Sequence, residues 1–379
     1  MFSQVKYLVA GAGFAGAVLA ERIATVLNER VVVIDRRKHI GGSSFSEIDP
    51  ETGIECHKFG SHIFHTALPD VRDYISRFSD INNYRHKVMI TWRGRVYPMP
   101  INLHTINDFY GINLKPYEVD DFIAEQKKKS AAYDTSTLEG KAVSLVGEKL
   151  YHAFIRGYTF KQWNCDPKKL PADIVMRLKI RKNYDADYFT DPWQGIPLEG
   201  YGKLFEKMLA NPRIELKLGV DFRDIRPLLS PECTVFYSGS LDELCDYRYG
   251  ELAWRSLRFE WRNENRTDWQ GTAVMNYADE EIPYTRIHEF KHYHPERKSV
   301  FESDRTRICY EYSENYHRGD EPFYPVETPE NRLIYQKCAE SLSGTGIIPI
   351  GRLGKYKYWD MDKTIKNSLD AFEQFRKGL

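Results

Sequence analysis

The spacing of apolar residues changes along the chain, and each change marks an element. Tyr7 to Ala10 is a short unbroken apolar run. Gly11-Ala-Gly-Phe-Ala-Gly16 follows it, then Ala17 to Leu27 with apolar residues at helical spacing, then a second apolar run, Val31-Val-Val-Ile34. Two continuous apolar strands flanking a helix predict a parallel βαβ unit, whose strands are covered on both faces. From about Asp108 to Leu150 the pattern is polar and helical, with Lys127-Lys-Lys129 as a solvated face. From Leu252 to Glu311 aromatic and β-branched residues alternate in short runs, such as Leu257 to Trp261 and Thr272 to Tyr277. That alternation predicts an antiparallel sheet. Val235-Phe-Tyr-Ser-Gly239 and Gly346-Ile-Ile-Pro-Ile-Gly351 read as strands returning to the first sheet, and a last helix is predicted from about Lys363. The first domain is therefore discontinuous and closed by the end of the chain.

Composition narrows the function. A chain of 379 residues suits two or three domains. Lys+Arg and Asp+Glu each number 54, which argues against a broad electrostatic grip on nucleic acid or an anionic membrane. Tyrosine is abundant at 25 residues, and its apolar ring with a hydroxyl suits hydroxylated ligands. The six cysteines are scattered without a C-x-x-C pair, so neither a zinc site nor a dithiol couple is expected. No leader is expected ahead of the first strand, and no apolar run reaches the ~18 residues of a membrane span. The expectation is a cytoplasmic protein with reduced thiols and no membrane insertion.

Gly11, Gly13 and Gly16 fit G-x-G-x-x-G between a strand and a helix. The first glycine allows the turn, the second lets backbone approach a pyrophosphate, and the third lets the helix pack on the strand. Phe14 begins the helix whose N-terminus favours the negative charge. Asp35 ends the second strand, where an acid can accept from ribose hydroxyls. Arg36 and a further glycine pair, Gly41-Gly42, with Ser43 after it, add an element found in many FAD oxidoreductases and usually lacking in nicotinamide dehydrogenases. FAD is thus preferred to NAD. His57, His62 and His65 lie within one short segment but lack a second cluster of ligands, and no metal site is expected.

That segment, His57-Lys-Phe-Gly-Ser-His-Ile-Phe-His-Thr66, resembles the H-K-Y-G-x-H-I-F-H-T of UDP-galactopyranose mutases. Further similarity runs through Gly157-Tyr-Thr-Phe-Lys-Gln-Trp163, Pro283-Tyr-Thr-Arg286, Gly319-Asp-Glu-Pro-Phe-Tyr-Pro325 and Gly351-Arg-Leu-Gly-Lys-Tyr-Lys-Tyr-Trp-Asp-Met-Asp362. The resemblance implies an α/β fold: a Rossmann-like FAD-binding domain, a helical insertion domain and an antiparallel β-sheet domain. Residues 1–80 with about 195–250 and 340–379 would bind FAD. About 100–180 would be helical, with a mobile loop at 170–180, and about 181–194 with 251–335 would form the substrate sheet.

The activity implied is ring contraction of UDP-galactopyranose to UDP-galactofuranose for surface polysaccharide synthesis. Reduced flavin N5 attacks the anomeric carbon and UDP leaves; the adduct opens, the ring recloses through the 4-hydroxyl, and UDP returns to the anomeric carbon, releasing the flavin. The resemblance places His62 and Ile63 beside the flavin, Arg352 close to both FAD and the sugar, and Asp360 and Met361 at a helix start that faces the flavin's pyrimidine edge. Arg177 and Arg286 would grip the diphosphate through paired guanidinium hydrogen bonds. Tyr324 and Tyr358 would bond the diphosphate, and Tyr188 would stack on uracil. His86, Phe154, Thr159, Trp163, Asn276 and Glu311 fall at pocket positions. Asp360 is read equally as an N-cap of the last helix. NAD(P)H or another reductant and a homodimer are implied as partners.

Four positions depart from the family pattern: Ser61, His86, Asn164 and Lys355. They leave open a substrate that is N-acetylated or 6-deoxy, and the nucleotide, UDP or dTDP. Two other readings stand beside the mutase, an amine-oxidase-like FAD oxidoreductase and a nucleotide-sugar-binding regulator. Intact Gly-rich loop, His62 and Tyr358-Trp-Asp360 argue against the regulator.

Overall fold

The computed structural model describes residues 2–128, 133–175 and 180–378. Its parallel sheet has the strand order Ile347–Pro349, Thr234–Tyr237, Tyr7–Ala10, Val31–Asp35, Ile214–Leu218. Every neighbouring pair runs parallel. Tyr7–Ala10 and Val31–Asp35 are buried along their whole length, which is why they stand out as unbroken apolar runs. The edge strand Ile214–Leu218 has no fully buried residue, so it carries no such signal. The glycine turn leads into the helix Phe14–Arg22, which continues as a wider π-helical turn, Ile23–Leu27. This helix lies against the C-terminal helix Met361–Lys377.

The second sheet has seven strands, in the order Tyr324–Pro325, Trp254–Glu264, Thr306–Asn315, Arg286–Glu289, Val274–Tyr277, Val88–Trp92, Arg95–Met99. Its pairs are antiparallel except Val274–Tyr277 with Val88–Trp92. The hairpin at its edge was not evident in the sequence. Its turn puts Arg93 at φ 49° and Gly94 at φ 74°, the left-handed pair that a tight hairpin requires. An arginine where Asn or Asp is usual hides the signal.

Two segments differ from the expected layout. Trp193 and Gln194, expected in the substrate sheet domain, pair with Thr66 and His65 in a two-stranded ribbon that continues to Gly195. Gly195 lies so close to Asn82 that a Cβ would stand 2.2 Å from its carbonyl oxygen. Asn82 also accepts the Ile196 N–H at 2.9 Å, and these contacts hold the segment away from the large sheet. After Pro325 the chain leaves the sheet for the helix Pro329–Ser341, capped by Thr328. Its Cys338 packs in the core beneath the parallel sheet with Leu8 and Val235.

The helical unit contains Leu103–Tyr110, Val119–Lys128, Leu138–Val146 and Gly157–Trp163 around a core that includes Ile106, Val143 and Phe154. Lys127 and Lys128 close one of these helices, where cations suit the helix dipole; Lys129 lies outside the described residues. Lys161 anchors the unit to the sheet. Its ammonium donates to the carbonyls of Tyr277, Asp279, Ile282 and Tyr284 at 2.8 to 3.1 Å. All six cysteines are free thiols. Among the described residues, no helix is long and apolar enough to cross a membrane.

Two consequences can be measured. At Gly16 a Cβ would stand 1.8 Å from the Gly11 carbonyl oxygen and 2.9 Å from Val9 Cγ1. Gly16→Ala is expected to cost about 1–3 kcal/mol as helix and strand are forced apart, read as a lower Tm; an unchanged Tm would contradict this packing. Burial pushes the imidazoles of His57 and His86 down to about 3, below the unfolded value of about 6.5. The unfolded chain therefore binds more protons, and their stabilising contribution, complete above about 6.5, is lost as pH falls towards the folded values. Urea midpoints should decline steadily on acidification from about pH 6.5, and a flat profile to pH ~4 would show that these imidazoles are not buried neutral.

Candidate functional site

Two glycine turns meet at the end of the parallel sheet. The Gly41 N–H donates to the Ala12 carbonyl at 2.8 Å, and a Cβ on Gly42 would stand 3.0 Å from Gly13 Cα. Asp35 fixes the first turn, its carboxylate accepting the N–H groups of Ala12 and Arg37, each at 2.8 Å. Gly13 is the N-cap of the helix that follows, and no side chain caps its first turn. The amides there are free to meet an anion. Gly11, Gly13, Phe14, Gly16, Asp35, Arg36, Gly41, Gly42, Ser43, His62, Arg352 and Met361 all line one cleft. Ile63 instead faces the main core. Ser238 and Trp359 also line the cleft; both stand in segments singled out from the sequence, but neither is named there as a site residue.

His62 reaches the cleft with a fixed tautomer. Its Nδ1 lies 2.8 Å from the Gly60 carbonyl, which can only accept, so Nδ1 carries the proton and Nε2 presents a lone pair. Burial pushes this imidazole down to about 4, and it is neutral near pH 7. The start of the helix Met361–Lys377 reaches the same cleft through Met361 and Thr364. Asp360 occupies its N-cap position, as read from the sequence, yet its carboxylate makes no capping hydrogen bond.

A second cluster adjoins the cleft through Arg352, whose guanidinium donates to the Phe323 carbonyl at 2.7 Å. It lies 5.8 Å from the Tyr324 ring and 5.6 Å from the Tyr358 ring. At the centre is Arg286. Strand register sets it opposite Glu311 on one side and Asn276 on the other, and its Nε stands 3.2 Å from Glu311 Oε1. Burial alone would raise the Glu311 carboxyl, but Arg286 and the hydrogen bond from His288 draw it down to about 2. Tyr324 and Tyr188 stand within electrostatic reach of Arg286. The Asn276 side-chain oxygen is buried with no partner, an acceptor available to a ligand.

The remaining expected residues separate into two groups. His86 is buried, stacks on Phe189 at 5.8 Å and meets Tyr188 edge-on at 5.6 Å. Tyr188 itself is 45% exposed, as a stacking platform must be. Thr159 is buried on the helix that carries Trp163. Phe154, expected in the pocket, is packed among Trp92, Tyr97 and Phe109 in the helical core, so its visible role is packing. Arg177 lies outside the described residues. Tyr158 was overlooked although its motif was singled out; its hydroxyl accepts from the Arg286 guanidinium. Ser61, one of the departures from the family pattern, bonds His288. Among the described residues one grouping, Asp268, Glu289 and His292, has metal-type ligands close together. Glu289 there already accepts the N–H groups of Trp269 and Gln270 and the Thr306 hydroxyl.

The chain was compared with known proteins. A family model described as UDP-galactopyranose mutase matches residues 153–358, and one for a NAD(P)-binding Rossmann-like domain matches residues 9–78. A dTDP-fucopyranose mutase of Escherichia coli is 39% identical over 379 residues, covering 98% of this chain and 99% of that one. A probable UDP-galactopyranose mutase of Klebsiella pneumoniae is also 39% identical, covering 98% and 95%. The crystal structure of a reduced UDP-galactopyranose mutase superposes with a TM-score of 0.72 at 15% identity, over 99% of this chain and 96% of that one. With more than half its length matched by the family model and relatives of this identity along nearly all of it, the chain belongs to the UDP-galactopyranose mutase family.

Proposed function

We propose that the protein binds FAD in the glycine-lined cleft and interconverts the pyranose and furanose forms of a nucleotide-linked hexose, UDP-galactose first among them. The observation that carries this reading is the junction at Arg352: a dinucleotide cradle on one side, and a cation held by a buried anion among tyrosines on the other. The cradle fits FAD because its closest contacts are backbone to backbone at Gly13 and Gly42, where any side chain would block a pyrophosphate. When bound and reduced, the flavin supplies a nucleophilic nitrogen to the anomeric carbon.

The chain's own residues supply the rest. Arg286, braced by Glu311 and Tyr158, directs its guanidinium at the diphosphate and keeps the departing nucleotide close. Tyr324 and Tyr358, 5.4 Å apart edge to face, add phenolic donors beside it. Neutral His62 offers Nε2 as a proton acceptor at the cleft wall. Amides at the start of the last helix, which reaches the cleft, would favour negative charge on a cofactor bound there. A dTDP-linked 6-deoxyhexose is the second reading, favoured by the equal identity of the dTDP-fucopyranose mutase.

Purified protein should be yellow, and a panel of UDP- and dTDP-hexoses should be isomerised only after dithionite or NAD(P)H is added. Chromatography of the products decides this, and equal turnover by oxidised and reduced enzyme would refute the nucleophilic role of the cofactor. Arg286→Ala should lower kcat/KM by about 10²-fold or more while the flavin absorbance is retained. Wild-type kinetics in that variant would remove Arg286 from the site.

A further inference from the structure

Behind Arg286 runs a buried chain of hydrogen bonds that the reaction as described does not use. Arg286 and His288 are alternate residues of one strand and so share a face. Between them lies the Glu311 carboxylate of the neighbouring strand, with one oxygen 3.2 Å from Arg286 Nε and the other 2.9 Å from His288 Nε2. On its far side, His288 Nδ1 lies 2.6 Å from Ser61 Oγ, and Ser61 Oγ accepts from the Tyr293 hydroxyl. His288, Glu311 and Tyr293 are each 98% or more buried.

The carboxylate can only accept, so His288 Nε2 carries a proton; Nδ1 of the neutral ring must then accept, and Ser61 donates to it. Tyr293 donates in turn to Ser61. The bonds therefore point one way, from Tyr293 through Ser61 and His288 to Glu311, and each polarises the next. Ser61 directly precedes His62, whose backbone N–H donates to His57 Nδ1 at 3.1 Å. His57 stacks on the Tyr293 ring at 5.1 Å. One rigid unit thus touches the cleft at His62 and the cation at Arg286. Ser, His and Glu in series also occur in hydrolytic triads, but Ser61 does not line the cleft and its oxygen is occupied by Tyr293.

We infer that Ser61 and His288 are positioning residues for Arg286: their hydrogen bonds hold Glu311 as a correctly placed anion, against which the guanidinium is aimed at the diphosphate. The inference rests on the nucleotide-sugar reading for the identity of that ligand. It gives Ser61, a departure from the family pattern, a role in phosphate binding in place of sugar recognition. The titratable groups that face His288 are Glu311 and Arg286, together with Tyr293, His57, His62 and His86 from other elements. Burial and Arg286 push the imidazole down, while Glu311 opposes them. Burial thus favours the neutral ring, in which Nδ1 accepts from Ser61 and Nε2 donates to Glu311.

The test uses the FAD-loaded full chain and UDP as the probe. Imidazole nitrogen NMR should show His288 as the neutral Nε2–H tautomer from about pH 6 to 8. Ser61→Ala leaves the buried Nδ1 without its donor, so His288 should begin to titrate in that range and UDP affinity should acquire a step at the same pH. His288→Leu should weaken UDP by about tenfold or more, with flavin content unchanged. His288→Gln, which can donate to Glu311 and accept from Ser61 but cannot titrate, should recover most of that loss. A wild-type His288 that is cationic or protonated at Nδ1 overturns the proposal, as does unaltered UDP affinity in both Ser61→Ala and His288→Leu. The NMR result needs no ligand: should wild-type protein bind neither UDP nor dTDP, the nucleotide-sugar reading fails while the tautomer still reports on the chain itself. If His288→Leu does not fold, Ser61→Ala and the wild-type spectrum decide alone.

Discussion

Glu311 carries a negative charge where water does not reach, and the arrangement of the site follows from neutralising it. An unpaired buried carboxylate is costly enough that proteins protonate or pair it. Here the strand register supplies Arg286 directly opposite and His288 two residues on. With both partners present the carboxyl is held at about 2 despite its burial. The guanidinium cannot turn away without leaving that anion with no opposite charge, only the hydrogen bond from His288. It pairs with Glu311 by charge and donates to Tyr158, and it retains further donors, because an arginine has five N–H groups in a fixed fork. A cation fixed by a buried anion yet still open to further acceptors suits a diphosphate.

The dinucleotide cleft is governed by a different constraint, close approach. The turns at Gly11–Gly16 and Gly41–Gly42 touch through backbone, so the cleft floor consists of amides and carbonyls. Arg352 and His62 are where this floor meets the charged cluster. Lys161 keeps the helical unit in place, since four carbonyls converge on one ammonium. The Gly157–Trp163 motif thereby serves two ends: Lys161 holds the helix, and Tyr158 reaches Arg286. Relatives named for different sugars, a fucopyranose and a galactopyranose, share this chain's length almost completely. What they have in common is a sugar joined to a nucleoside diphosphate, which is the part of the ligand that the Arg286 cluster suits.

Much was readable from the amino acids alone. The buried parallel strands announced themselves because both faces are covered, and the glycine turn because its spacing is set by local backbone geometry. The antiparallel strands from Trp254 onward were visible through their alternation. What stayed hidden had physical reasons. The Ile214–Leu218 edge strand is only half covered, and the Val88–Met99 hairpin turns on an arginine in a left-handed conformation. Phe154 falls at a pocket position by resemblance, yet its ring points into the helical core.

The sequence by itself determined the dinucleotide fold, the family and most of the residues that converge on the site, since these follow from short-range spacing and from motifs that recur in order. Only the tertiary structure decided which of those residues meet. Ser61 and His288 are 227 positions apart and bond at 2.6 Å, and no local pattern carries that pairing. Hydrogen-bond direction, like the burial that keeps His62 neutral, depends on which groups exclude water around a side chain, and that is fixed only when distant strands close over it.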